Sequence, residues 1–213
     1  MKDNATVQAI IEELKVLYPD AICSLDYDPE KAYELLFSVR LAAQCTDARV
    51  NLVTPALFAA YPTLEAMAQA PVEAVEEYVK TCGFFRQKAK DIVGACQMLL
   101  TQYGGKVPGT MEELLKLPGV GRKTANLLLG DLYQVPGSVV CDTHCIRICG
   151  RLGLSQGKDP EKVEQQLRII LPPEESSDFC HRIVLFGREI CTARSPKCQE
   201  CPLGMFCREH NAT

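Results

Sequence analysis

Four cysteines near the end of the chain, Cys191, Cys198, Cys201 and Cys207, are spaced C-x6-C-x2-C-x5-C, and Pro202 directly follows the third. Four thiolates in one short loop can hold a tetrahedral zinc or an iron-sulfur cube, because both take four cysteine sulfurs. Zinc modules usually present two close pairs of ligands, and here only Cys198 and Cys201 are paired. The spacing favours a 4Fe-4S cluster over zinc, and either over four unrelated packed thiols.

A second constellation is Leu117-Pro118-Gly119-Val120-Gly121-Arg122-Lys123-Thr124-Ala125. Its two glycines allow a tight hairpin whose backbone amides open at a helix N-terminus, where orphan N–H groups and the helix dipole favour an anion such as a phosphate. A plain corner between two helices would use the same residues. The G-x-x-x-x-G-K-[ST] spacing of a phosphate-loop NTPase is missing. Lys123 falls in the first helical turn, where the positive dipole end disfavours an ammonium. Such a lysine is a candidate nucleophile, since a neutral amine can attack a carbon electrophile and carry a Schiff base, and partial burial would help lower its pKa; the plain alternative is a solvated surface lysine.

Asp142, in Val140-Cys141-Asp142-Thr143-His144, precedes a helical stripe of Cys141, Cys145, Ile148, Cys149 and Leu152. Aspartate is a favoured N-cap, and one carboxylate can both cap and catalyse. The four-residue spacing of Cys141, Cys145 and Cys149 fits a buried stripe of small thiols better than a second metal site. His144, His181 and His210 have no metal-ligand spacing.

Helices must position all of these groups, because apolar residues recur with helical period almost throughout and alternating strand patterns are scarce. Val7, Ile10, Ile11, Leu14 and Leu17 form one stripe. Leu35, Leu36 and Val39 begin another, and Ile92 to Tyr103 mark a long helix. Prolines 19, 29, 62, 71, 108, 136, 160 and 172 fall between such segments. The segment from about Arg122 to Tyr133 reads as buried on most sides. The fold class is all-α, with domain breaks expected near Ser24 to Asp28 and Val135 to Ser138.

A chain of 213 residues with 47% hydrophobic content can fold without covalent staples. Twelve cysteines without a secretory leader indicate a reducing, cytoplasmic compartment, and no apolar run is long enough to span a bilayer. The net charge of −4 opposes nucleic acid binding at first sight. Its distribution reverses that inference. Met1 to Glu34 holds eight acidic and three basic residues, while Lys116, Arg122, Lys123, Arg147 and Arg151 face only Asp131 and Asp142 between positions 116 and 151.

The LPGVGRKTA hairpin, the VVCDTH segment and the cysteine loop, together with Leu41-Ala42-Ala43-Gln44-Cys45-Thr46-Asp47, resemble the endonuclease III family. These are bacterial DNA glycosylases and AP lyases of the helix-hairpin-helix superfamily, and the likeness covers essentially the whole chain. It implies two helical domains with a DNA cleft between them. One is a six-helix domain at about 25–135 containing the helix-hairpin-helix at about 111–133. The other is an iron-sulfur domain of 1–24 plus 136–213, with its cluster loop at 191–207.

The resemblance further implies base-excision repair of oxidised pyrimidines such as thymine glycol, by a monomer on double-stranded DNA with a damaged base or abasic site. Localisation would be cytoplasmic and nucleoid-associated. Lys123 would be the nucleophile, Asp142 its partner carboxylate, and the four cysteines the 4Fe-4S ligands. Gln44 would fill the gap left by a flipped nucleotide. Phe84 would be the wedge, where the family usually has leucine. Gly119, Val120, Gly121 and Arg122 would meet a DNA phosphate, and the carbonyls of Leu115, Leu117 and Val120 a monovalent cation. Arg194 and Lys197 would touch the DNA backbone.

The related adenine-specific glycosylase lacks the lysine found here as Lys123, has glutamate near the position of Arg40, and normally carries a further C-terminal domain not found before Thr213. Pyrimidine-dimer and T:G-mismatch glycosylases differ in pocket residues that these motifs do not include. In a non-catalytic iron-sulfur DNA-binding protein, Lys123 would be a phosphate contact and Asp142 an N-cap. Arg40 itself, at a commonly apolar position, would line the pocket or cap a helix.

Overall fold

The computed structural model describes residues 2–210, and these are helical with no strands. Helices begin where short oxygen-bearing side chains accept otherwise orphaned amides. Asp3 caps α1 (Asn4–Leu17), Thr46 caps α3 (Asp47–Ala60), and Thr63 caps α4 (Leu64–Ala68). Between them α2 (Ala32–Ala42) starts without a side-chain cap. After α5 (Val72–Val79) and α6 (Phe85–Gln102), Thr110 caps the single turn α7 (Met111–Leu114), which leads through the hairpin to α8 (Arg122–Tyr133). Asp142 caps α9 (Thr143–Leu152), and Asp159, with Pro160 behind it, caps α10 (Pro160–Ile170). The last α-helix is α11 (Ser176–Glu189).

The chain forms two compact units. One is Cys23–Tyr133; the other joins the residues up to Ile22 to those from Gln134 on. In the first, α6 packs against α2, α4 and α5, while α8 packs against α2 and α7. Leu35, Leu36, Phe37, Val50, Leu57, Val75, Ile92, Leu99 and Leu128 fill its core. Burial of α8 starts only at Ala125; Lys123 is exposed, so the expectation of burial on most sides holds for the helix body and not its first turn.

In the second unit α1 and α9 both pack on α11. Val7, Ile10, Ile11 and Leu14 give α1 its buried face, and Phe179, Ile183 and Phe186 give α11 the matching one. Two polar contacts also tie the N-terminal helix to distant sequence: Lys15 Nζ lies 2.7 Å from Glu175 Oε1, and Tyr18 Oη donates to Glu189 Oε2 at 3.0 Å. Burial and that carboxylate both push the Tyr18 phenol above its usual pKa.

Candidate nucleic-acid interface and cluster loop

The cysteine loop is shaped by a run of tight turns. Cys191 leaves the end of α11 with its amide on Phe186 O at 2.9 Å. From Cys198 the backbone then bonds at three-residue steps: Cys201 N to Cys198 O at 3.2 Å, Gly204 N to Cys201 O at 3.0 Å, and Cys207 N to Gly204 O at 3.0 Å. This 3₁₀-like course wraps the chain so that all four cysteines line one pocket, together with Arg151, Pro196, Lys197 and His210. All four thiols are free and half-buried.

Four cysteines lining one pocket supply the four sulfurs that an iron-sulfur cube needs, each binding its own iron. Charge agrees, since Arg151 Nη1 donates to Cys191 Sγ at 3.3 Å and to Thr192 O at 3.0 Å. Arg147 reaches the same segment, with Nη2 on Cys191 O at 3.0 Å and on Gly187 O at 3.3 Å. Sequence reasoning noted both arginines as local charge but missed this role; their i, i+4 spacing on α9 is the signal that was available.

Asp142, at the other end of α9, is the N-cap: Oδ1 accepts from Cys145 N at 2.7 Å, and Oδ2 is left for another partner. Beneath it Cys141, Cys145 and Cys149 form the expected buried stripe, with sulfurs 4.0 and 3.9 Å apart. Contact with Cys141, Cys149 and Cys180, together with burial, raises the Cys145 thiol well above its usual pKa, as suits inert packed sulfur.

In the other unit, Gly119 turns the hairpin at φ 74°, and Val120 N bonds Leu117 O at 3.2 Å. Gly121 has open space where a side chain would stand, so its backbone is accessible, and Arg122 and Lys123 start α8 at the surface. Leu115 is exposed; Leu117 and Val120 are buried, leaving only their backbone for any ligand. Since Lys123 is exposed, the expected partial burial is corrected: its position at the positive end of α8 remains, and activation by burial does not.

Gln44 and Phe84 both adopt left-handed backbone, at φ 55° and 57°. Their loops are neighbours, since a Cβ on Gly83 would lie 3.6 Å from Gln44 O. Both side chains are exposed, and Phe84 is 70% accessible. A left-handed aromatic residue held out in solvent is unusual and costs backbone energy that its own packing does not repay. Arg194 and Lys197 are exposed on the cysteine loop.

Arg40 neither caps a helix nor stands alone. Its Nη2 and Nε lie 2.6 and 2.7 Å from Asp91 Oδ2, and Gln87 Nε2 donates to Asp91 Oδ1 at 2.7 Å.

An all-helical chain with a glycine hairpin, projecting loop residues and a cysteine loop suited to an iron-sulfur cube defines a DNA-directed helix-hairpin-helix protein. The model of the HhH-GPD superfamily base excision DNA repair proteins matches residues 37–173, and that of the iron-sulfur binding domain of endonuclease III matches 191–207. Endonuclease III of Synechocystis is 45% identical over 212 residues, covering 100% of this chain and 95% of the relative. That of Escherichia coli is 38% identical, covering 93% and 92%. A trapped endonuclease III–DNA covalent intermediate superposes with a TM-score of 0.92 at 41% identity, covering 100% of this chain and 99% of the other. A thermostable thymine-DNA glycosylase, at 21% identity and a TM-score of 0.83, shares the fold.

The chain belongs to the endonuclease III family. It is a base-excision-repair enzyme, a DNA glycosylase and AP lyase with a 4Fe-4S cluster, and DNA is its partner. No helix among the described residues is long and apolar enough to cross a membrane.

Proposed function

We propose that this enzyme removes oxidised pyrimidines such as thymine glycol and then cleaves the abasic strand, with Lys123 as nucleophile and Asp142 as partner carboxylate. The observation that carries this is the placement of Lys123: exposed, in the first turn of α8, directly after an open glycine hairpin. A relative 41% identical has been seen as a covalent intermediate with DNA, and a lysine so placed is suited to form one.

A base inside a duplex is out of reach, so it must be extruded and the gap held open. Gln44 would occupy the vacated space and Phe84 would part the flanking stack. The hairpin backbone of Gly119, Val120, Gly121 and Arg122 would meet a phosphate through the amides other than that of Val120, which Leu117 O holds, and the carbonyls of Leu115, Leu117 and Val120 would meet a monovalent cation beside it. Arg194 and Lys197 would hold the backbone elsewhere.

The Lys123 amine attacks the sugar C1′ as the base leaves with its bonding pair. Asp142 would stabilise the positive charge that develops on the sugar or relay the proton that the amine loses. The C1′–O4′ bond then breaks, O4′ taking a proton as the sugar ring opens, and leaves a Schiff base that acidifies the C2′ proton; its removal expels the 3′ oxygen, and hydrolysis frees the lysine. Cys191, Cys198, Cys201 and Cys207 would ligate the cluster, whose part here is to shape the loop bearing Arg194 and Lys197. The domain limits implied by the family, 25–135 and 1–24 plus 136–213, and a cytoplasmic, nucleoid-associated location belong to the same proposal.

The test is borohydride trapping on a duplex with one thymine glycol, beside Lys123→Gln and a duplex with adenine opposite 8-oxoguanine. A Lys123-dependent adduct on thymine glycol is the expected outcome. Absence of any adduct from cluster-loaded protein would remove the lyase assignment.

A further inference from the structure

We infer that Arg40 is a positioning residue: its ion pair with Asp91 locks the hairpin glycine Gly119, the Gln44 loop and the Phe84 loop into one rigid DNA-facing platform. The inference rests on the proposed function for what the platform does, and on geometry within one unit for how it is held.

Three segments meet at this pair. Arg40 lies in the last turn of α2, which runs directly into Gln44. Asp91 and Gln87 lie in the first two turns of α6, which begins directly after Phe84. Gly119 sits against the pair itself: a Cβ there would stand 2.6 Å from Arg40 Cδ and 2.7 Å from Asp91 Oδ2. The hairpin therefore approaches as close as a bare backbone allows, and its turn rests on the charged pair.

The grip on α2 is double. One turn before Asp91, the buried Lys88 donates Nζ to Leu41 O at 2.8 Å. Two charged groups of α6 thus hold consecutive residues of α2 just before the backbone turns left-handed at Gln44. The Arg40 and Asp91 side chains are only 18% and 9% accessible, so solvent screens their attraction weakly. A buried pair of this kind is poor evidence for stability, because an apolar pair of similar volume often does as well. What it supplies is direction. A guanidinium held by two nitrogens on one carboxylate oxygen, with Gln87 on the other, has one geometry where leucines would have several.

That distinction gives the test. Arg40→Leu/Asp91→Leu replaces the pair by apolar bulk, and Arg40→Lys keeps the charge without the two-nitrogen grip. Each is measured for melting temperature, visible cluster absorbance, affinity for a duplex carrying a tetrahydrofuran abasic analogue, and single-turnover trapping at saturating thymine glycol duplex. The double variant should melt near wild type and keep its cluster, yet bind the analogue about tenfold more weakly and trap roughly 10- to 100-fold more slowly. Arg40→Lys should fall between. A merely structural role would reduce the folded fraction and leave affinity and rate per folded molecule unchanged.

Wild-type affinity and trapping in a folded double variant would overturn the inference. If that variant does not fold, Arg40→Lys decides, and wild-type values for it would overturn the inference equally. Failure of the wild-type protein to trap would sink the proposed function instead, and affinity for the tetrahydrofuran duplex would still test the platform.

Discussion

Arg151 holds both ends of the cysteine loop: its Nη1 donates to Cys191 Sγ at 3.3 Å, and its carbonyl accepts from Arg208 N at 2.9 Å, one residue past Cys207. The helix that Asp142 caps is therefore the one on which the loop is hung. Arg147, one turn earlier, adds the bonds to Cys191 O and Gly187 O.

Arg151→Met keeps the aliphatic stem and the backbone bond but removes the charged donor from the sulfur. Hydrogen bonds to charged groups are worth roughly 1.5–3 kcal/mol. The variant should lose its visible cluster absorbance faster under a ferrous-iron chelator. Its cluster should also reduce at a more negative potential, because the reduced form carries more negative charge and loses the guanidinium that favoured it. Unchanged decay and unchanged potential would show that the bond is incidental.

Asp142 carries two duties that substitution can separate. Serine is as good an N-cap as aspartate but has no carboxylate; alanine has neither. Asp142→Ser should melt close to wild type and lose base excision, while Asp142→Ala should lose excision and about 1 kcal/mol of stability as well. A fully active Asp142→Ser, judged by single-turnover release of thymine glycol, would leave Asp142 as a cap and nothing more.

The parts of the site that were legible in the sequence are those fixed by local chemistry. A glycine hairpin opening a helix and four cysteines in one loop each announce themselves within about twenty residues, as does the cap at Asp142. The exposure of Lys123 was not legible, because burial of a first turn depends on what packs against it, and Ala125 rather than Lys123 is where the core begins. Nor was the Arg40–Asp91 pair, whose members are 51 residues apart and share no period. Arg40 showed only as a charge in an apolar stripe, which pointed to a site without identifying its partner.

Lys88 makes stability depend on pH in a defined direction. Burial lowers its pKa, while the unfolded chain holds the proton up to about 10.4. Between those two values the unfolded state binds more protons, so this group's contribution rises with pH there and is absent below its folded pKa. Urea unfolding of wild type should therefore strengthen across that alkaline window relative to Lys88→Met, which has no such proton. Parallel curves for the two proteins would show that Lys88 keeps an ordinary pKa in the fold.

Phe84 spends backbone energy to stand in solvent, and that makes Phe84→Gly informative. The left-handed conformation costs a side-chain-bearing residue roughly 1–2 kcal/mol, which glycine avoids, while glycine adds about 0.5–1 kcal/mol of unfolded-chain entropy. The residue is 70% accessible, so little packing is lost. Melting should thus change little or rise slightly. Affinity for a duplex with a tetrahydrofuran site should fall, since a stacked aromatic contact contributes about 1–3 kcal/mol. A ring that served the fold would give the opposite pattern, a lower melting temperature with DNA affinity intact, and fluorescence anisotropy beside thermal melting on one preparation separates the two.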